Sequence, residues 1–445
     1  MDILFLTQVL PFPLDAGPKI RAYYVLRHLA ETGHRITLVS FVRAGDRPEH
    51  FAHLRSYCSA VRTVRMRRSA WRDSLALASS LAGGRPFLAA RDWSAAMAST
   101  VIAAARRMPV PFAVHSDQLS MAPYALLARR FSRGGARPVA VLDQHNAVFQ
   151  IPLRMALSDN GIWRRPLLRL EARRLAGYER KTCARFDHVV WVSAEDRRAL
   201  YGDGSGAPMA PADQRVIPIA LDPQARAVRA RCRGARRVTF MGGLHWPPNA
   251  QGMRWFLEFI WPLVKVRAPA ALLTIIGREG REAIGATADP AVEVTGFLDD
   301  PTPYLAETAV FIVPLRAAGG MRVKILDAWS RGLPVVSTTL GAEGVCARPG
   351  QNLLLADDPV SFATAVAAVI NDAQLAGRLA EAGRRTVEQN YDWRTTYRLW
   401  DSIYPPVAGA RRLECSKDRA PAIERACDTQ PAAARRTGAP LATEH

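Results

Sequence analysis

Residues 313–338, VPLRAAGGMRVKILDAWSRGLPVVST, concentrate the side chains that could do chemistry. An apolar run ends at Pro314, and a loop carries Gly319 and Gly320. Arg322 and Lys324 open the next helical stretch, which Gly332 and Pro334 stop. In an open parallel sheet, ligands lie beyond the carboxyl ends of the strands. A helix N-terminus placed there offers free N–H groups and a partial positive charge to an anion. Cations at that end oppose the helix dipole, so two of them together imply an anion between them. Glycine lets backbone approach closely, and Arg322 and Lys324 supply full charges suited to a diphosphate. Asp327 on the same helix either accepts hydrogen bonds from ribose hydroxyls or makes a surface pair with Lys324.

The segment Gly17-Pro18-Lys19-Ile20-Arg21 repeats the pattern in the first half of the chain: a glycine, then two cations at a helix start. His115 and Asp117 in PFAVHSDQLSMAP follow a short strand-like run, and His145 in LDQHNAVF follows a stronger one. Each either lines a cleft at a strand end or packs as a hydrogen-bonded loop residue. His245, beside Trp246 and Pro247, suits a turn. Neither half carries a full Walker loop or a GxGxxG fingerprint, which argues against an ATPase or a dehydrogenase. No carboxylate cluster demands a metal, because Arg and Lys can neutralise a departing diphosphate as a metal would.

The elements that must position these residues follow one grammar. Short β-branched runs alternate with helical patterns, the signature of parallel sheets with crossover helices. Strands are expected at residues 3–6, 36–41, 139–142 and 189–192, with a loop over 7–17 and a helix over 20–31. A break at 217–224 (IPIALDPQ) separates a second half with strands at 238–241, 271–276, 292–295, 310–313 and 335–338. Helices are expected there at 249–264 and 322–331. The resulting domains are residues 1–220 and 221–390. Beyond residue 408 the composition turns to Ala, Pro, Arg and Thr, which predicts a disordered tail over 408–445.

At 445 residues and 49% apolar content the chain can build two α/β cores. Lys and Arg number 60 against 40 Asp and Glu, a field that favours anionic partners. Six dispersed cysteines without a C-x-x-C pair suggest reduced thiols and a cytoplasmic setting. The opening MDILFLTQVLPFP lacks a basic n-region and reads as a buried first strand. No run approaches the ~18–20 apolar residues of a membrane span. Basic residues interleaved with Trp and Leu at 61–72 and 163–185 suit either a solvated helical face or peripheral docking on an anionic membrane. Without a visible recognition module, nucleic acid is not expected as a partner.

Five segments, taken with residues 313–338, resemble the family-four retaining glycosyltransferases in order and spacing. They are LPFPLDAGPKIR (10–21), HVVWVSAED (188–196), FMGGLHWPPNAQGMRWF (240–256), VTGFLDD (294–300) and STTLGAEGV (337–345). The resemblance spans roughly residues 1–405. It implies the α/β GT-B fold: two Rossmann-like doubly wound domains facing a central cleft, with a helix at 391–407 returning to the N-terminal domain. It implies a nucleotide diphosphate-sugar donor, a hydroxyl acceptor such as a polysaccharide or lipid-linked glycan, and retention of configuration without a metal. Arg322 and Lys324 would hold the diphosphate, Asp327 stands where the family has a ribose-binding Glu, and Gly296 and Phe297 would border the base. Gly17 would let the N-terminal domain close, with His115 and Asp117 near the reacting sugar. Gly319 stands where the family has its first Glu. Gly243 and Asn249 fall near where it has Arg and Lys, and Pro218-Ile219-Ala220 replaces its interdomain PNG. A nucleotide-sugar epimerase and a non-catalytic nucleotide-binding protein of the same fold are the alternatives.

Overall fold

The computed structural model describes residues 1–66, 69–84, 86–133, 137–158, 164–202, 213–225, 234–285 and 289–409. The tail expected to be disordered lies, from residue 410 on, outside the described residues. Two parallel sheets organise the chain. The first contains β1 (Asp2–Thr7), β2 (Arg35–Val42), β3 (Ala60–Arg65), β4 (Phe112–Asp117), β5 (Val139–Gln144), β6 (His188–Trp191) and β7 (Asp213–Val216), in the order β3-β2-β1-β4-β5-β6-β7. The second contains β8 (Arg237–Met241), β9 (Leu272–Ile276), β10 (Val292–Gly296), β11 (Thr308–Val313), β12 (Val335–Ser337) and β13 (Leu354–Leu355), in the order β10-β9-β8-β11-β12-β13.

Strand order reverses beside β1 in one sheet and beside β8 in the other. The crevices therefore open at the carboxyl ends of the β1/β4 and β8/β11 pairs. The two central strands β4 and β11 are buried along their whole lengths, as parallel strands covered on both faces must be. Two elements depart from the sequence reading. Residues 61–65, read as part of a basic helical or membrane-facing run, form the edge strand β3, whose charges discourage further pairing. The strand before His115 runs on through Asp117, which places His115 inside the sheet.

The chain crosses between domains twice, and the crossings run side by side. Leu221 N–H donates to Tyr391 O at 3.0 Å, and Trp393 N–H donates to Leu221 O at 3.1 Å. Arg394 closes the junction with a bidentate pair to Asp222, at 2.9 and 2.7 Å. Past the second crossing the chain makes a short helix, Trp393–Thr396, and a 3-10 stretch, Tyr397–Ser402, rather than one continuous helix. This segment lies on the N-terminal domain: Trp393 stacks on Tyr24 with centroids 5.4 Å apart, and His28 bonds Asp401 at 2.8 Å. One core cluster runs from Tyr24 and Trp393 through Met321 to Ile325 and Trp329, so apolar packing is continuous across the junction.

Candidate active site between the two domains

The helix Val323–Ser330 begins directly beyond β11, with Arg322 as its N-cap, and ends in Arg331 and a positive-φ Gly332. Arg322 is only 4% exposed. Its Nη1 donates to Gly319 O at 2.7 Å and also to Gly320 O, while Nε and Nη2 are buried without a partner. Burial brings its pKa down to about 10, with Glu343 opposing that shift and Arg154 adding to it. Lys324 Nζ donates to Asn249 Oδ1 at 2.9 Å and lies 4.3 Å from the centre of the Phe240 ring. Burial first, and Arg322 second, lower Lys324 to about 7. A buried cation with two unpartnered donors and a partly buried one beside it, at a helix N-terminus, make a site for an anion.

The other donor-side residues sort themselves around this pair. Asn249 is buried on the donor side, below Lys324, and donates Nδ2 to Gly243 O at 2.8 Å, so it orients the lysine. Asp327 is buried and pairs with Arg331 Nε at 3.0 Å, the wrong partner for a surface pair with Lys324. Gly296 ends β10 with open space around it. Phe297 beyond it is 46% exposed and lies under the Arg278 guanidinium at 4.4 Å. His245 sits against Gly243, where it fills the turn.

Gly320 and Gly319 lie against the N-terminal domain. A Cβ on Gly320 (φ 78°) would lie 2.5 Å from His145 O, and one on Gly319 would lie 3.4 Å from Ala147 O. Only at Gly320 must the backbone be bare to fit against the loop after β5; at Gly319 a Cβ would make an ordinary contact. Across the cleft, a Cβ on Gly17 would meet the Val323 side chain, with Cγ2 at 3.2 Å. Asp196 secures this seam, accepting from Ala147 N–H at 2.8 Å and Gly320 N–H at 3.3 Å. Ser193 and Asp196 cap the helix Ala194–Tyr201, so the cap motif also holds the two domains together. Buried Glu179 shapes the same loop by accepting from Val148 and Phe149 N–H.

On the N-terminal side the structure moves two expectations. The cations of 17–21 are both neutralised by carboxylates: Lys19 pairs with Asp15 at 2.9 Å, and Arg21 is fully buried on Asp143, with both bonds at 2.9 Å. The dipole argument made for Arg322 therefore does not carry over to them. His115 leaves the cleft altogether. It is fully buried, stacks on Phe5 at 4.2 Å and bonds Tyr404 at 3.0 Å, and burial drives its imidazole down to about 3. It is a neutral residue that anchors the C-terminal segment.

Asp117 and His145 lie at the carboxyl ends of β4 and β5, but Asp117 is fully buried and the His145 side chain is 8% exposed. His145 Nε2 lies 2.8 Å from Asp117 and 3.8 Å from Asp143. Burial opposes its charge, but the two carboxylates hold it up at about 9. Asp117, Asp143 and His145 are close enough to share a cation. Arg21 pairs with Asp143, and His145 faces both carboxylates, so each acid already lies beside a basic side chain of the protein. Sequence reading missed Asp143 and Glu179, because a lone acid at a strand end or in an arginine-rich helix carries no local signal.

Two doubly wound parallel domains facing each other at their strand carboxyl ends, with a cationic helix start in the cleft, define the GT-B fold. Over residues 235–372, within its C-terminal half, the chain matches the family model Glycosyl transferases group 1. Anabaena HepE, solved with UDP and glucose, superposes with a TM-score of 0.62 at 14% identity, covering 91% of this chain and 99% of that one. Sucrose-phosphate synthase from Thermosynechococcus elongatus gives 0.63 at 15% identity, covering 91% and 98%. The lipopolysaccharide core biosynthesis glycosyltransferase LpsE of Rhizobium meliloti is 37% identical over 98 residues, 22% of this chain and 28% of that protein. An uncharacterized 44.6 kDa protein from the cps region of Klebsiella pneumoniae is 29% identical over 176 residues, 38% of this chain and 45% of that protein. The matches thus span less than half the length of either curated relative.

Proposed function

We propose that the protein is a glycosyltransferase that moves a sugar from a nucleotide diphosphate-sugar to a hydroxyl of a polysaccharide or lipid-linked glycan. The observation that carries this reading is the pair at the start of the helix beyond β11: Arg322, buried with two donors unpartnered, and the partly buried Lys324 beside it. A uridine nucleotide is the favoured donor, because HepE was solved with UDP and with UDP-glucose. In the reaction the acceptor oxygen bonds to the anomeric carbon as the bond from that carbon to the β-phosphate oxygen breaks. The electron pair leaves with the nucleoside diphosphate, whose oxygen takes the acceptor proton. Arg322 and Lys324 stabilise the charge that develops there, without a metal. Domain closure along the Gly17 and Gly320 seams excludes water, so that transfer outruns hydrolysis. No enzymatic nucleophile is needed, and attack from the leaving-group face retains configuration.

An acceptor carried by a lipid would place the enzyme at the cytoplasmic face of a membrane. Two neighbouring helices support that placement. Trp71 and Leu75 on Ala70–Gly83, and Leu167 and Leu170 on Arg164–Cys183, are exposed among Arg164, Arg169 and Arg173. Arg174 Nη1, donating to Ser80 O at 3.2 Å, joins the two helices. Among the described residues no single helix is long and apolar enough to cross a membrane.

The test is a thermal-shift panel of UDP, GDP, ADP and their sugar conjugates on wild type and Arg322→Ala. A ligand at ~100 Kd adds about 2.7 kcal/mol, enough to see. Stabilisation by uridine nucleotides that the variant loses is expected; no response from wild type to any of them sinks the reading. With a responding donor in hand, an NMR assignment of an inverted product would overturn retention.

A further inference from the structure

The sequence motifs leave out an ion pair that crosses the cleft. Arg154 belongs to the helix Gln150–Ser158 of the N-terminal domain, and Glu343 follows the 3-10 turn Leu340–Ala342 of the C-terminal domain. Their atoms meet at 2.6 and 3.0 Å, and Arg154 Nη1 also donates to Ala318 O. The next two carbonyls, of Gly319 and Gly320, are those that accept from Arg322. Three consecutive carbonyls therefore gather two guanidinium groups from different domains at one corner of the site. Arg322 holds two buried donors unpartnered there, and Glu343 is the carboxylate whose charge bears most on it. The corner is an anion site in which the protein's own carboxylate already occupies one cation.

We propose that Arg154 is the N-terminal domain's cation for the donor diphosphate, and that Glu343 is its internal counter-ion, displaced when the diphosphate binds. The inference rests on the donor-site reading above and deepens it. A diphosphate attracts both guanidiniums and repels Glu343. Exchanging carboxylate for phosphate keeps Arg154 engaged while the bridge between domains passes through the ligand. Closure is then coupled to the β-phosphate, and a nucleoside monophosphate, which lacks it, gains nothing from Arg154. Ion pairing alone predicts something different: a fixed strut whose loss changes stability and leaves nucleotide preference alone.

Calorimetric titration of UDP and UMP into wild type, Arg154→Ala and Glu343→Gln separates the two. Arg154→Ala should weaken UDP at least about tenfold, the size of a lost charge-assisted hydrogen bond, and leave UMP nearly unchanged. Glu343→Gln keeps the side-chain shape, removes the competitor and should tighten UDP. The exchange Arg154→Glu with Glu343→Arg restores the bridge, so it should recover Tm while UDP stays weak. An unchanged UDP-to-UMP ratio in Arg154→Ala, or weaker UDP binding in Glu343→Gln, overturns the proposal. Should Arg154→Ala fail to fold, Glu343→Gln decides alone. Wild type that binds none of UDP, GDP and ADP sinks the donor-site reading with it, whereas wild-type UDP binding with an unaltered ratio sinks this inference only.

Discussion

Lys324 is the residue whose ionisation the site controls most directly. Partly buried between the Phe240 ring and Asn249 and close to Arg322, its ammonium is poised near pH 7. It is charged below that pH and neutral above it. A bound diphosphate favours the charged form and raises the lysine pKa, so binding above pH 7 takes up a proton. UDP affinity should therefore fall from pH 6 to pH 8.5, by up to about tenfold per pH unit in the interval between the free and bound values. Titrations in two buffers of different ionisation enthalpy would report the proton uptake. Lys324→Arg, which stays charged throughout, should flatten the profile. A fall that survives in Lys324→Arg would assign the titration to another protein group, because the ligand's own phosphate gains charge as pH rises and would bind more tightly.

At the scale of elements, the helix Gly17–Glu31 and the C-terminal segment hold each other. Arg21 is enclosed by Asp143, by Pro218 O at 2.7 Å and by the Tyr397 and Trp400 rings, each 5.2 Å away. Burial alone would raise the Asp143 carboxyl, yet Arg21 and His145 hold it well below the usual carboxylate range. Removing one partner leaves an uncompensated buried charge, so Asp143→Asn should cost about 3–5 kcal/mol. Trp400→Ala opens a cavity over the same guanidinium and should cost a similar ~3–5 kcal/mol. Arg385→Ala breaks an exposed pair with Glu381 and should cost less than about 1 kcal/mol. Thermal denaturation of the three variants checks the ranking, and an Asp143→Asn protein as stable as Arg385→Ala would refute it.

For the whole molecule, the formal net charge of +20 has a geometric counterpart in the arginine-lined apolar face of Ala70–Gly83 and Arg164–Cys183. Long cationic side chains beside exposed Leu and Trp suit an interface in which lipid headgroups meet acyl chains. The protein should sediment with vesicles containing about one third phosphatidylglycerol and release as salt rises. Leu167→Ser with Leu170→Ser should reduce that binding, as should Arg169→Glu with Arg173→Glu, without altering UDP affinity. Binding that ignores both pairs would return this face to an ordinary solvated surface.

What the sequence alone determined was whatever short-range pattern encodes. Strand and helix alternation, the stop at Gly332 and Pro334, and two cations at one helix start depend on neighbours a few residues apart. They led to the parallel sheets and to Arg322 and Lys324 beyond β11. Tertiary structure decided the rest, because the deciding contacts join distant parts of the chain. Arg21 and Asp143 are 122 residues apart, and Arg154 and Glu343 are 189 apart. No local periodicity reports which acid a given arginine will meet. His115 shows how small the difference can be: a strand that continues two residues further turns a cleft residue into a core residue. Gly319 and Gly320 were legible as close-approach positions. Only the docked domains showed that much of what approaches them is the backbone of residues 145–147, since a missing Cβ records that space is needed and not what will occupy it.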